Sequence, residues 1–346
     1  MSALRTLALG LVSVLLCAAA GAAKLRVENY GVDGPSCGTQ QAPCRSISRG
    51  VANAAEGDTI LVGPGFYGDV DGDGTLGEGG EEGPAAATCE CLVLVDKRVS
   101  IRSTGGAAAT LLLHPSQPFR AFRMTAGGSE VGRRNAGFSI VGPGGTALLL
   151  EGDDSGAAGN WLGGETIAAN GGDASLSDNR VFGGGGIVVV GTGARLVGNA
   201  VSLADQGFSL GLSDAGLPKG APRRLERSVG VGNLIGIYVD TDVGPTEIER
   251  CAMVGNALGG IYVSVNDDTS ASRLSLYGNG TAPTTLNGPN CGFAAASDVP
   301  VTRSFWGSPS GPGPDPADAA CPVDAGSIDP LPVSAKEIRV KLRPLR

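Results

Sequence analysis

The sequence is poor in the side chains that fill compact cores or perform acid–base chemistry at neutral pH. Of its 346 residues only 4 % are aromatic and 17 % are charged, and His114 is the single histidine. Large rings supply much of the buried area of compact domains, so this composition argues against such a core. One histidine also excludes multi-histidine metal sites and acid–base pairs of two histidines.

Small and aliphatic residues are abundant instead. The chain contains 58 Gly and 21 Pro, and 42 % of its residues are hydrophobic. That apolar content is too high for a disordered polyanion, and the glycines lack the third-residue period of collagen. The composition predicts short strands and tight bends around a narrow aliphatic core.

The first 22 residues are typical of a cleavable secretory signal. Arg5 precedes an apolar run over residues 7–20, and the small residues Ala20 and Ala22 precede the expected cleavage site. A membrane anchor needs about 20 apolar residues, and the bulky Leu16 before Cys17 disfavours lipoprotein processing. We expect a secreted, periplasmic or cell-surface protein without a membrane span.

The charge balance bears on possible partners. Removing Arg5 with the signal leaves 25 basic against 34 acidic residues, a net charge of −9. Such a field repels nucleic acid and anionic lipid. It also argues mildly against a polyanionic sugar, unless cations bridge the two. We expect a monomer.

Seven cysteines remain after the signal, and an exported chain should oxidise most of them. The sequence predicts a Cys37–Cys44 disulfide closing an N-terminal loop and a Cys291–Cys321 disulfide near the C-terminal end. Cys89 and Cys91 flank one apolar residue and would point the same way from a strand. Cys251 lies in an apolar stretch and is expected to be a free core thiol.

Two irregular repeats run through the chain. A small residue followed by an apolar run recurs at Gly186, Gly207, Gly236, Gly260 and Gly292. Asparagine recurs at Asn179, Asn199, Asn233, Asn256 and Asn279, with one missing or irregular step between Asn199 and Asn233. Units of 20–25 residues without a helical period must stack on one another to bury their apolar faces. We expect these asparagines to share one corner of a stack of coils. A β-sandwich fits less well, because the hairpin turns are missing, and a leucine-rich repeat lacks its fixed leucine spacing.

Both ends of the repeat region carry recognisable motifs. The segment from Cys44 to Tyr67 resembles the opening of right-handed parallel β-helix proteins of the pectate-lyase-like superfamily, in which a short helix caps the tube. Ile47, Val51 and Ala54 or Ala55 would form its apolar stripe. The segment from Phe305 to Pro314 is similar to the motif that closes the last coil in many such proteins. The resemblance covers residues 27–332 and implies the fold more than an activity, because the scaffold hosts lyases, hydrolases, epimerases, adhesins and binding proteins.

The predicted fold is therefore all-β. We expect a single-stranded right-handed parallel β-helix, a solenoid of about ten coils with a short N-terminal capping helix. The cap would span residues 23–57, the β-helix residues 58–332 with an insertion at 68–90, and a C-terminal tail residues 333–346.

The insertion carries an acidic pattern that suits calcium. Oxygens at alternate positions followed by glycine are how a short loop wraps Ca²⁺. The pattern departs from an EF-hand at position 12, which is Gly80, so a solvated acidic turn remains the alternative. The candidate ligands of a structural Ca²⁺ are Asp69, Asp71, Asp73, Glu78 and Glu81.

A second set of acids follows the apolar runs at nearly constant spacing. If the coils align, they form an aspartate row at one corner, at separations used by glycoside hydrolases or by divalent-ion sites. Aspartate is also simply a good turn residue, and Gly193 interrupts the pattern. The candidate catalytic residues are Asp153, Asp214, Asp242 and Asp267.

Other residues have weaker claims on function. Resemblance to β-helix lyases, which use Arg or Lys as a base, singles out Arg133, Arg134, Arg223, Arg224 and Arg227, although loop arginines are usually just solvated. His114 follows a strand predicted at residues 110–113 and is expected to be exposed. Trp161 could stack on a sugar.

These observations favour an exported binding or structural module of the cell envelope or extracellular space that contacts glycans. The alternative is a polysaccharide lyase or glycoside hydrolase using the aspartate row. A copper-handling role is disfavoured by one histidine and three methionines.

Overall fold

The described residues fold as a parallel β-helix of ten coils, each with up to three short strands. The computed structural model describes residues 21–77, 80–83, 89–115, 120–211, 220–240, 244–264, 268–282, 289–314, 316–324 and 326–344. Every pairing among the described strands is parallel, and each strand pairs with its equivalent one coil away. The signal predicted over residues 1–22 lies almost wholly outside these residues.

Three sheets, which we call faces A, B and C, form the sides of the tube. Face A contains Lys24–Val27, Thr59–Val62, Ser100–Ser103, Glu130–Val131, Gly156–Ala158, Ser175–Ser177, Arg195–Val197, Arg223–Glu226, Thr246–Glu249, Thr269–Ser272, Val299–Thr302 and Ile328–Asp329. Coils 1 to 10 begin at the second to the eleventh of these strands.

Faces B and C complete each coil. Face B contains Gly65–Gly68, Thr110–Leu113, Arg180–Phe182, Ala200–Ser202, Val229–Val231, Ala252–Val254 and Ser275–Tyr277. Face C contains Cys91–Val95, Arg120–Met124, Gly186–Val189, Gln206–Leu210, Ile235–Val239, Gly259–Val263, Cys291–Ala295 and Ala319–Pro322. The long strands Ser139–Leu150 and Trp161–Ala169 pass through both faces in coils 3 and 4.

The short helix Ile47–Asn53 (α1) covers the N-terminal end, as the sequence predicts. The hydroxyl of its N-cap, Ser46, accepts a hydrogen bond from the Arg49 N–H, which satisfies one of the free donors of the first turn. Ile47, Val51 and Ala54 are buried, whereas Ala55 is exposed. No helix in the described part of the chain is long and apolar enough to cross a membrane.

The glycine repeat is confirmed and has a steric cause. Ile187, Phe208, Ile237, Ile261 and Phe293, which follow the five repeated glycines, pair in register along face C and are buried. A Cβ at Gly207, Gly236 or Gly260 would collide with the carbonyl oxygen of the next glycine in the series. Adjacent coils therefore approach too closely at these positions to leave room for a side chain.

The expectation of one asparagine corner is wrong, because the asparagines form two ladders. Asn160, Asn179 and Asn199 lie between faces A and B, at the A–B corner. The side-chain oxygens of Asn179 and Asn199 each accept the backbone N–H of the preceding asparagine. Asn233, Asn256 and Asn279 form the second ladder at the B–C corner. The irregular step between Asn199 and Asn233 is the point where asparagine changes corner, and Ser228 continues the first ladder in coil 7.

The cysteines pair as expected, with one addition. Disulfides join Cys37 to Cys44 and Cys291 to Cys321, and a third joins Cys89 to Cys91 at the end of the insertion. Cys251 is the free thiol among the described residues and is fully buried. Burial raises the pKa of Cys251 to about 12, so this thiol is unreactive at neutral pH.

Asp318 ends the second asparagine ladder and generates a pH-dependent prediction. Its two oxygens accept from the Asn279 N–H and Nδ2 at 3.2 and 2.6 Å. Burial raises the pKa of Asp318 to about 6 from 3.8, despite these hydrogen bonds. Between those values the folded chain holds a proton that the unfolded chain has lost, so this group's contribution to stability falls as pH rises from about 4 to 6.

We expect Asp318→Asn to remove this pH dependence. The difference in unfolding free energy between the variant and the wild type should therefore shift in favour of the variant by up to about 3 kcal/mol between pH 4 and 7, the equivalent of this pKa shift. Urea unfolding across that range measures the difference, and a constant value would contradict the assignment.

Candidate functional site

A groove runs along the A–B corner from coil 2 to coil 7. It consists of two cavities, of about 460 and 330 Å³, which share Ser177, Asp178 and Arg343. Its lining comes from face-A strands, the turn after Glu130–Val131 and the C-terminal tail. We call it the basic groove, because six basic and two acidic side chains line it: Arg102, Arg133, Arg134, Arg227, Lys341 and Arg343, with Glu130 and Asp178.

The groove's cations are held by different means. Arg102 pairs with Glu130 at 3.2 Å. Arg133 and Arg134 are exposed on a tight turn that is closed by mutual backbone hydrogen bonds between Arg133 and Ala136. The side chains of the groove therefore carry a net positive charge, whereas the whole chain has a net charge of −8. A concave site with an excess of one charge also concentrates the electric field within it.

The C-terminal tail contributes to the groove through a defined path. The hydroxyl of Ser275 accepts the Ile338 N–H at 2.8 Å and donates to the Ile338 carbonyl at 3.1 Å. Farther along, the Arg180 guanidinium donates to the Arg343 carbonyl at 2.9 Å. The tail therefore lies across coils 9 to 5 along the A–B corner, which brings Lys341 and Arg343 to the groove.

The arginines singled out in the sequence separate into two groups. Arg133, Arg134 and Arg227 line the basic groove. Arg223 is buried, donates to the Gly191 and Val190 carbonyls at 2.9 and 2.8 Å, and has its pKa lowered by burial, so it fastens adjacent coils together. Arg224 forms an exposed pair with Glu247 at 3.0 Å.

The aspartate row can be followed only at Asp153. This residue is exposed in a turn between faces C and A, and its Oδ1 accepts the Gly172 N–H of the next coil at 2.8 Å. Asp214, Asp242 and Asp267 lie outside the described residues. Asp153 is thus at a different corner from the basic groove.

The acidic loop (residues 69–82) gathers three of the predicted calcium ligands. Asp69, Asp71 and Glu81 each offer an oxygen within 4.8 Å of the others. Asp69 is buried and accepts from the Gly72 and Gly74 N–H groups, while Glu81 Oε1 accepts from Val70 and Asp71. Glu81 Oε2 is shielded from solvent without a hydrogen-bond partner among the described residues.

Of the two remaining predicted ligands, the structure describes Asp73. Asp73 is exposed and accepts the Thr75 N–H at 2.6 Å, and Glu78 lies outside the described residues. The three gathered carboxylates have six oxygens between them, and Ca²⁺ takes six to eight oxygen ligands.

The neighbouring Glu82 connects this loop to the N-terminal cap, a role that sequence analysis missed. Its carboxylate accepts the N–H groups of Ile47 and Ser48 at the start of α1, and the Ser48 hydroxyl at 2.6 Å. Burial raises the pKa of Glu82, and these hydrogen bonds oppose that rise. The acidic loop therefore supplies a second capping group, which satisfies two further N–H groups of α1 beside the one that Ser46 satisfies.

The prediction that His114 is exposed is wrong. Thr110–Leu113 is a strand as expected, but His114 is 4 % exposed and its Nε2 lies 3.1 Å from Glu165 Oε1. Glu165 is fully buried and also accepts the Gly144 N–H at 2.9 Å. The ring lies against Gly142, where any Cβ would collide with it. This pair is separated by 51 positions in the chain, so no local pattern reveals it.

The two tryptophans have different environments. Trp306, in the closing motif, is fully buried in coil 10. Trp161 is 38 % exposed at the start of its strand on face B. Part of this side chain is therefore open to solvent.

Comparison with known proteins yields distant structural likenesses. No protein-family model matches the chain, and no curated protein sequence matches it. A pectate lyase, Pel9A, aligns at 17 % identity with a TM-score of 0.44, over 91 % of this chain and 78 % of the lyase. A rhamnogalacturonan lyase aligns at 11 % identity with a TM-score of 0.47, over 91 % of this chain and 89 % of that one.

The catalytic unit of a GH87 α-1,3-glucanase from Streptomyces thermodiastaticus strain HF3-3 aligns at 10 % identity with a TM-score of 0.44, over 86 % of this chain and 66 % of the glucanase. Likenesses this remote carry no functional argument. The assignment of the fold depends on the strand register described above.

We expect the buried His114–Glu165 pair to behave as one energetic unit. Substituting either partner leaves a buried polar atom of the other unpaired, so His114→Ala and Glu165→Ala should each cost about 2 kcal/mol of unfolding free energy. The double variant should cost much less than their sum. Urea unfolding of all four proteins gives the coupling energy, and additivity within about 0.5 kcal/mol would contradict the pairing.

Proposed function

We propose that this chain is an exported carbohydrate-binding protein that holds a polysaccharide in the basic groove. The observation that carries the proposal is the groove itself, a concave path that continues over several coils. Because equivalent residues in adjacent coils are about 4.8 Å apart, a β-helix presents repeated contacts along a straight line, which suits a linear polymer. The predicted secretory signal supports encounter with such polymers outside the cell.

The lining suits binding better than acid–base catalysis. Arginine presents five fixed donors to hydroxyl or carboxylate oxygens, and the groove contains six basic side chains. Of its two carboxylates, Glu130 is engaged by Arg102. A lyase or hydrolase reaction at the aspartate row is the alternative, and it would use another corner of the tube.

The binding proposal is tested on Arg133 and Arg134. We expect Arg133→Ala/Arg134→Ala to weaken polysaccharide binding about tenfold, the loss of two charged contacts, with little change in stability because both residues are exposed. Calorimetric titration with soluble acidic and neutral polysaccharides measures the affinity.

The matched control removes two arginines from face C, as Arg120→Ala/Arg123→Ala, and should bind like the wild type. Reducing-end and ultraviolet assays on the same samples report chain cleavage. Depolymerisation by wild type and by the groove variant alike, without measurable binding, would favour the enzymatic alternative.

We also propose that the acidic loop binds a structural Ca²⁺ through Asp69, Asp71 and Glu81, with Asp73 and Glu78 as further candidate ligands. The support is the convergence of three carboxylates around a shielded oxygen of Glu81. A bound ion would neutralise these acids and fix the loop from which Glu82 caps α1. The ion would act on stability, through α1, rather than on a substrate.

Calcium should therefore stabilise the folded chain. At a concentration 100 times its Kd, we expect about 2.7 kcal/mol of added unfolding free energy, removed by chelator and lost in Asp71→Ala. Thermal melting with and without Ca²⁺ measures this, and Asp324→Ala, an exposed acid in a distant turn, is the control. A calcium response in Asp71→Ala equal to that of the wild type would refute the site.

A further inference from the structure

The A–B corner repeats one backbone conformation in seven successive coils. The last face-A residues of these coils pair in register from Ala158 to Thr302. The residue that follows each of them has a positive φ of 49–70°. In the first six coils its N–H donates to a carbonyl of the next coil, and in the last coil it donates to the Pro332 carbonyl. In chain order these residues are Gly159, Asp178, Gly198, Arg227, Arg250, Arg273 and Arg303.

Four consecutive arginines at such positions are not explained by the turn. A residue with a Cβ pays a conformational cost in this left-handed region, which glycine avoids. The equivalent positions at the B–C corner show what the fold alone selects: Gly183, Leu203, Gly232, Gly255 and Gly278, four of them glycine. A strained conformation retained in coil after coil points to a use for the side chain. We call Arg227, Arg250, Arg273 and Arg303 the arginine ladder.

The ladder's charge is only partly compensated within the molecule. Arg250 and Arg273 share one oxygen, Oε1 of Glu249, at 3.5 and 2.6 Å. Arg227 and Arg303 are exposed and form no ion pair with a described residue. At about 4.8 Å per coil, the four corner positions span about 14 Å. Like charges at that spacing repel one another unless an anion lies alongside them.

The ladder continues the basic groove. Arg227 belongs to both, as the last groove residue and the first of the ladder. The basic tail passes the same corner, held by Ser275 and Arg180, with Lys341 and Arg343 facing the groove. One line of cations therefore extends from coil 2 to coil 10 of a chain whose net charge is −8.

We propose that the arginine ladder and the basic groove together bind a linear polyanion, an acidic polysaccharide whose negative charges repeat along its length. This inference depends on the proposed polysaccharide binding and adds the chemical class of the ligand. The partial concavity of the track favours a single chain over a lipid surface, because a flat bilayer cannot enter the groove. The net negative charge of the chain argues mildly against a polyanionic sugar. The inference changes that expectation, because the cations are concentrated where the polymer would lie.

The test uses substitutions that remove the charge and also relieve the backbone. In a quadruple variant each ladder arginine is replaced by glycine. We expect its affinity for polygalacturonate to fall at least tenfold, about two- to fivefold for each exposed contact, while the melting temperature is unchanged or raised. The corresponding four-lysine variant should retain most of the affinity and the salt dependence.

Two controls separate this effect from simpler ones. Leu203→Gly relieves the same conformation without changing charge and should bind like the wild type. A second variant replaces four arginines of other surfaces by glutamine, namely Arg49, Arg98, Arg120 and Arg123, and matches the change in net charge. Equal loss in this variant and in the ladder variant would overturn the ladder as a site.

The ligand's class is tested with polygalacturonate and its fully methyl-esterified, neutral form. Tighter binding of the acidic polymer, lost with the ladder, is the expected result. Equal binding of both polymers, unaffected by the ladder, would leave polysaccharide binding intact and refute this inference. Binding of neither would refute the proposed function itself. Ladder-dependent binding of phosphatidylglycerol vesicles without polygalacturonate binding would identify a membrane and overturn the proposal.

Discussion

The in-register stacking of each coil on the next is the constraint on which the rest of the structure depends. A coil of this size cannot bury its own apolar side chains, so its stability comes from the adjacent coils. Stacking sets the narrow aliphatic core, in which Ile187, Phe208 and Ile237 lie one above another. It also sets the glycines of face C, whose missing Cβ atoms allow carbonyl groups to approach. The abundance of glycine and aliphatic residues and the β-helix fold therefore both follow from the stacking of coils.

Stacking also places a residue that recurs in successive coils in a straight row. Whether the side chains of such a row can bond to one another depends on the donors and acceptors that they carry. Asparagine carries both a donor and an acceptor, so Asn233, Asn256 and Asn279 bond to one another and stabilise the tube. Arginine has donors but no acceptor, so an arginine array cannot satisfy itself. Glu249 serves two members of the ladder, and the others need an acceptor from outside. The same geometry therefore makes one ladder structural and the other suited to a ligand.

Local motifs could be predicted from the sequence, whereas contacts between residues of different coils could not. The capping helix and the face-C glycine series follow from short segments or spacings. The corner occupied by an asparagine does not, because Asn199 and Asn233 look alike in sequence yet follow different faces. The burial of His114 depends on Glu165, two coils away. The ladder did leave a signal, since Arg227, Arg250 and Arg273 each precede a ladder asparagine by six residues.

The corners of the tube divide the possible functions between them. Asp153, the one described member of the predicted aspartate row, lies at the corner between faces C and A, whereas the cations converge at the A–B corner. Catalysis of the glycosidase type requires two carboxylates facing one sugar, and the acids of the basic groove are outnumbered three to one by cations. An anion held there would be bound by many weak, repeated contacts. Such contacts add along a polymer, because each coil contributes its own, so a longer chain would bind more tightly than a fragment.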